Sequence, residues 1–184
     1  MVTSFYTEAE LRNIGLKQVG SNVLISKKAS LYKPSEISIG DNVRIDDFCI
    51  LSGRITIGSN VHISAYVSIY GNKGVVLEDY TGISPRSTIF SAMDDFSGDY
   101  LIGPIHDPSM TNVTGGPVII KKYSQIGTNV VVFPDVVVEE GCAVGAFSLV
   151  NKSLESWHIY YGVPVRKMKP RSKGLLDLIQ KYGE

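Results

Sequence analysis

A chain of 184 residues carries 18 basic and 18 acidic side chains, so its formal net charge is zero, and its mean hydropathy is +0.08. That balance excludes electrostatic capture of nucleic acid or of an anionic membrane surface, and no apolar run reaches the ~20 residues of a membrane-spanning helix. Two cysteines are too few for a disulfide framework, and the length fits a single domain.

Residues 1–18 read as an N-terminal capping segment. Thr7-x-x-Glu10 is a capping box that opens a short helix ending near Gly15. Glu8 and Glu10 stand where a secretory leader needs basic and then apolar residues, so a cytoplasmic location is expected.

From Val19 onward the sequence repeats. Val19-Gly20-Ser21-Asn22-Val23, Ile39-Gly40-Asp41-Asn42-Val43, Ile57-Gly58-Ser59-Asn60-Val61 and Ile126-Gly127-Thr128-Asn129-Val130 share one pattern. Steps of six from Val19 reach Ile25 and Leu31. After a slip of two residues, read at Ile37-Ser38, they reach Ile39, Ile45, Leu51, Ile57, Ile63 and Ile69. A second slip, read at Val75-Val76, leads to Leu77, Ile83 and Ile89. The step resumes at Ile120 and continues through Ile126, Val132, Val138, Val144 and Val150. A period of six fits neither the 3.6-residue helix nor unbroken strand alternation, and predicts short strands joined by tight turns. Gly and Asn within each hexad suit turns that need positive φ.

The segment from Asp95 to Ile119 has no periodicity and is read as an excursion from the repeat; so long a loop in a compact fold is usually functional or disordered. Cys49 and Cys142 occupy the same hexad position in the second and sixth coils. At ~4.8 Å per coil they lie on the order of 19 Å apart along the axis, too far for a disulfide. Residues 172–184 are expected to form a C-terminal helix with Leu175, Leu178, Ile179 and Tyr182 on one face.

This pattern closely resembles the hexapeptide-repeat acyltransferase family. The resemblance implies an all-β fold: a left-handed parallel β-helix over 19–171, of about six triangular coils at three hexads each, with one excursion loop and helical caps at both ends. It further implies a homotrimer with active sites between adjacent prisms.

The C-terminal part, from Ile120 through Gly145-Ala146-Phe147-Ser148-Leu149-Val150-Asn151-Lys152 to Gly162-Val163-Pro164-Val165-Arg166-Lys167, is similar to the galactoside- and maltose-type sugar O-acetyltransferases. That similarity implies acetyl-CoA as co-substrate. Thr128, Ala146, Asn151 and Lys152 match its coenzyme-binding strip, and Arg166 and Lys169 match cationic positions near the nucleotide phosphates. On the acceptor side Ser64 and Asn72 align with sugar-contacting positions, Asn72 replacing an Asp. Arg86 is suited to a carboxylate or diphosphate.

Where this family places a basic histidine, the sequence has Asp94 in Ile89-Phe90-Ser91-Ala92-Met93-Asp94-Asp95. Acyl transfer needs a group to take the nucleophile's proton, and an isolated aspartate is a weak base unless burial or a neighbouring carboxylate such as Asp95 raises its pKa. His106, within the excursion and beside Asp107, is the histidine candidate for that role. His62 reads as a surface turn residue and His158 as packing near the coenzyme tail. No His, Cys, Asp or Glu spacing resembles a metal site, and no metal is expected.

The resemblance implies acetyl transfer to a hydroxyl of a sugar or glycan precursor of surface polysaccharide. The alternative is N-acetylation of a nucleotide-linked amino sugar, whose neutral amine is nucleophilic enough to manage without a strong base. A scaffold with no acyl-transfer role would not need the coenzyme motif.

Overall fold

The computed structural model describes residues 4–182. Its repeat winds into a left-handed parallel β-helix with three faces, and the hexad aliphatics sort into three stacked columns. On the first face Val19, Ile39, Ile57, Leu77, Ile120 and Val138 lie in register. The second holds Ile25, Ile45, Ile63, Ile83, Ile126 and Val144, and the third Leu31, Leu51, Ile69, Ile89, Val132 and Val150. Most strands are two or three residues long, too short to be stable alone. Aliphatic burial, at about 1.5–3 kcal/mol for a Leu, Ile or Val side chain, holds each coil on the next. Ile45, Leu51, Ile63 and Ile69 are wholly inaccessible to solvent.

Turns between faces fall on residues in the left-handed region. Asn22, Asn42 and Asn60 have φ of 52°, 53° and 59°. Their amides form a ladder, Asn22 Nδ2 donating to Asn42 Oδ1 at 2.8 Å and Asn42 Nδ2 to Asn60 Oδ1 at 3.1 Å. In later coils the same edge carries Tyr80, Tyr123 and Trp157 in successive ring contacts of 5.4 and 6.3 Å.

Four details differ from the hexad reading. Leu154 bridges Val138 and Tyr160 pairs with Val144, which adds a partial seventh coil that the strict six-residue step does not reach. The two slips do not fall at Ile37-Ser38 and Val75-Val76: Ile37 and Val75 are buried in register with Ile55, so the extra residues sit before them, in the 3-10 turn Pro34–Glu36 and in 71–74. The excursion spans 91–117, because Val118 is already in register with Val75. Cys49 precedes a strand of the third face and Cys142 one of the second, so these free, buried thiols lie on different edges of the prism.

All three insertions therefore share one edge, between the third and first faces. We call it the insertion edge. The opposite margin of the third face, where the chain arrives from the second, is the plain edge.

At the N-terminus Thr7 caps α1 (Glu8–Asn13) with both halves of the capping box in place, and the helix stops before Gly15 at φ +82°. At the C-terminus His158–Tyr161 and Arg166–Pro170 form an antiparallel hairpin that closes the solenoid, followed by α2 (Gly174–Tyr182). Leu178 and Tyr182 of the expected apolar stripe stay exposed. Among the described residues no helix is long and apolar enough to cross a membrane.

Candidate active site

The insertion edge carries a cleft of about 680 Å³. Its floor is the solenoid itself, with Lys33, Asn72, Tyr70 and Phe90, and its lip is the excursion, with Asp94 and Phe96. Tyr70 and Phe90, neighbours in register on the third face, stack at 5.3 Å between centroids. The excursion has its own frame. Met93–Asp94 pairs antiparallel with Val113–Thr114, and Asp107 caps the 3-10 turn Pro108–Met110 through Ser109.

Of the three candidate bases, only Asp94 lines the cleft. Its carboxylate accepts the Gly103 amide at 3.4 Å. Asp95 does not form the expected carboxylate pair with it. Asp95 accepts from the Ser97 amide at 2.6 Å and the Asn112 side chain at 2.9 Å, and these bonds, Ser97's foremost, hold its carboxyl below the usual range. It anchors the loop. His106 is exposed on an outer turn and does not line the cleft, while Asp107 is occupied by Ser109. His62 bonds Asp46 at 2.8 Å and His158 bonds the Ser156 carbonyl at 2.8 Å.

The remaining site residues divide between two edges. Asn72, Asn151 and Lys152 follow strands of the third face and share the insertion edge with Asp94. Ser64, Arg86, Thr128 and Ala146 lie on the plain edge. Three-residue strands at ~3.3 Å per residue put about 10 Å between these edges within one chain. Arg86 sits over the Tyr66 ring at 5.5 Å, and Tyr66 stacks on Phe48 at 4.9 Å. Ser84, which the hexad pattern did not single out, stands one coil above Ser64 in the same register. Its hydroxyl accepts from Gln125 Nε2 at 3.2 Å and so keeps its own proton to donate.

The Gly162-Val163-Pro164-Val165 turn folds back onto the sixth coil. Gly162 N donates to Ser148 Oγ at 3.0 Å, Leu149 N to Gly162 O at 3.0 Å and Val165 N to Leu149 O at 2.9 Å. The following strand displays Arg166 and Lys169, neither in an ion pair among the described residues, whereas Lys167 is tied to Glu155 at 2.6 Å. Arg171 fixes this tail by donating to the carbonyls of Tyr123, Gly141 and Cys142 at 2.7, 3.0 and 3.1 Å. Among the described residues no group of three His, Cys, Asp or Glu side chains could hold a metal ion.

A left-handed β-helix with an edge cleft and a folded-back Gly-Val-Pro tail defines the class of hexapeptide-repeat transferases. The family described as bacterial transferase hexapeptide (six repeats) matches residues 36–71. An Escherichia coli dTDP-4-amino-4,6-dideoxy-D-glucose acyltransferase is 43% identical over 178 residues, covering 95% of this chain and 93% of its own. The galactoside O-acetyltransferase of E. coli K12 is 26% identical over 149 residues, covering 79% of this chain and 69% of its own.

Among solved structures, the N-acyltransferase AntD from Bacillus cereus, in complex with dTDP and 3-hydroxybutyryl-CoA, superposes with a TM-score of 0.95 at 52% identity, covering 98% of this chain and 97% of its own. A variant of AntD holding dTDP-4-amino-4,6-dideoxyglucose and coenzyme A gives 0.96 at 51% identity, covering 99% of this chain and 98% of its own. The chain belongs to the hexapeptide-repeat acyltransferases and uses an acyl-CoA donor. The relatives favour an amine acceptor, the second of the two sequence readings, over a hydroxyl.

Proposed function

We propose that this protein is an N-acyltransferase that moves an acyl group from acyl-CoA to the amine of a dTDP-linked 4-amino-6-deoxy sugar. The observation that carries this reading is the pairing of Ser84 with Asp94. AntD has been crystallised as variants of a Ser and of an Asp ten residues beyond it, and the same two residue types stand here at the same spacing.

The chemistry suits an aspartate. The amino sugar arrives as an ammonium ion, which a carboxylate binds by charge and relieves of one proton. The amine lone pair then attacks the thioester carbonyl, and the Ser84 hydroxyl donates to the oxyanion. When the tetrahedral intermediate collapses, the carbon–sulfur bond breaks and the thiolate takes one of the two protons left on nitrogen, the other staying as the amide N–H. The products are an amide and free CoA, and Asp94 returns its proton to solvent. A hydroxyl acceptor would ask for a stronger base.

Since Ser84 and Asp94 lie on different edges, the site is completed between two copies of the chain, in a trimer of prisms. Lys152, Asn151, Thr128, Ala146, Arg166 and Lys169 bind the coenzyme in this reading, and Ser64, Asn72 and Arg86 face the acceptor.

The test is product analysis by mass spectrometry after incubation with acetyl-CoA or 3-hydroxybutyryl-CoA and either dTDP-4-amino-4,6-dideoxyglucose or its 4-hydroxyl analogue. Acylation of the amino sugar is expected. Acylation of the hydroxyl analogue alone, or of neither, would overturn the reading.

A further inference from the structure

We infer that the Lys33 end of the cleft is the diphosphate subsite for the nucleotide-linked acceptor, an inference that rests on the reading above. Tyr32, Ser52, Tyr70 and Phe90 are in register, one per coil, along the third face. Lys33 follows the first of these and Asp94 lies just beyond the last, and both line the cleft. Three coil steps at ~4.8 Å separate its two ends by about 14 Å along the axis, a span the lysine's flexible four-carbon stem can partly bridge.

The cleft is polarised. Among the described residues Lys33 has only Glu36 as an ionic partner, at 4.0 Å, with the two side chains 71% and 46% exposed, so its charge remains available to a ligand. Arg54 and Lys73 occupy the insertion edge in the next two coils. Both are exposed, and neither makes an ion pair among the described residues. Arg54 and Lys73 do not line the cleft, so among its lining residues Lys33 is the one cation, at one end, and Asp94 the one carboxylate, at the other.

Between them Tyr70 and Phe90 form an apolar wall. A nucleotide-linked 4-amino sugar has matching polarity. Its amine sits across the sugar ring from the anomeric diphosphate, and a 6-deoxy sugar between them offers an apolar methyl to the aromatic wall. The amine goes to Asp94 and the diphosphate to Lys33.

Calorimetric titration of dTDP into the wild type and into Lys33→Asn and Lys33→Arg tests this. Asparagine is chosen because Lys33 has φ +55°, a conformation Asn tolerates well. Loss of one charge-assisted phosphate contact is expected to weaken dTDP binding about tenfold in Lys33→Asn and to raise KM for the nucleotide sugar similarly. KM for acyl-CoA and kcat should stay unchanged, Lys33→Arg should bind within about threefold of the wild type, and wild-type affinity should fall with salt. Undiminished dTDP binding by a folded Lys33→Asn overturns the subsite and leaves the N-acyl reading standing. A wild type that neither binds dTDP nor acylates the amino sugar overturns both.

Discussion

Asp94 accepts the Gly103 amide across the excursion at 3.4 Å, and among the described residues its second carboxylate oxygen has no hydrogen-bond partner. One oxygen positions the group and the other is free for an amine. Asp94→Asn keeps the shape and removes the charge, so kcat should fall by about 10²–10⁴ with little change in melting temperature. Steady-state kinetics alongside a thermal melt measures both.

The proposed sharing of the site between edges of two copies in a trimer makes a further prediction. Asp94→Asn and Ser84→Ala should each be nearly inactive, but unfolding and refolding them together should restore activity. Random assortment into trimers leaves about a quarter of the sites with both native residues. No recovery from mixed, refolded trimers would place both residues in one chain's site.

The cations of the closing hairpin should not be equivalent. Arg166→Ala and Lys169→Ala should each raise KM for acyl-CoA about tenfold by removing a phosphate contact. Lys167 is already neutralised by Glu155, and Lys167→Ala should change it by no more than about twofold.

Arg171 gathers three carbonyls from two coils, so its loss should be felt as stability. Arg171→Met leaves the Tyr123 and Gly141 carbonyls without this donor, while Cys142 O keeps the Gln125 amide at 2.8 Å, and should cost about 1–3 kcal/mol in chemical denaturation. It should also loosen the hairpin that carries Arg166 and Lys169, raising KM for acyl-CoA.

Burial pushes the Cys49 and Cys142 thiols up to about 11, and each donates to a carbonyl, of Ser64 and Glu155 respectively. At pH 8 both remain protonated and shielded. A disulfide reagent should therefore titrate no thiol in the native protein and two after denaturation.

Acid should loosen the N-terminal cap. Lys27, and then the capping bond to Thr7, hold Glu10 at about 2, below its ordinary 4.5. Because the folded value is depressed, this contribution is present above 4.5 and is lost as pH falls from about 4.5 towards 2. The protection of the Leu11 amide against hydrogen exchange, taken relative to the unstructured rate at each pH, should fall across that window, and Glu10→Gln should remove that fall.

The solenoid was legible because burial in a coil demands the same side-chain type every sixth residue, and the hexad positions fall into register as columns. The slips were harder to place. Ile37 and Val75 are aliphatic at positions two residues before the main column, and a six-residue count cannot say whether they are the insertion or follow it. Asp94 was recognisable as an unexpected residue at a known position. Its separation from Asp95 was not, since that depends on how Ser97, two residues on, and Asn112, 17 residues on, fold against it in a segment without periodicity. Ser84 was overlooked although Ser64, one coil below it, was singled out; stacking the hexads as coils instead of reading them along the chain would have raised it.

Insertions confined to one edge have an evolutionary consequence. Each coil returns to the other two edges after a fixed number of residues, so the loop over 91–117 can be lengthened, shortened or exchanged without shifting any buried column or the Gly-Val-Pro tail. Acceptor recognition can then diverge among relatives while the scaffold and donor recognition are inherited intact, and a transplanted loop is the natural unit in which one such enzyme would acquire the acceptor preference of another.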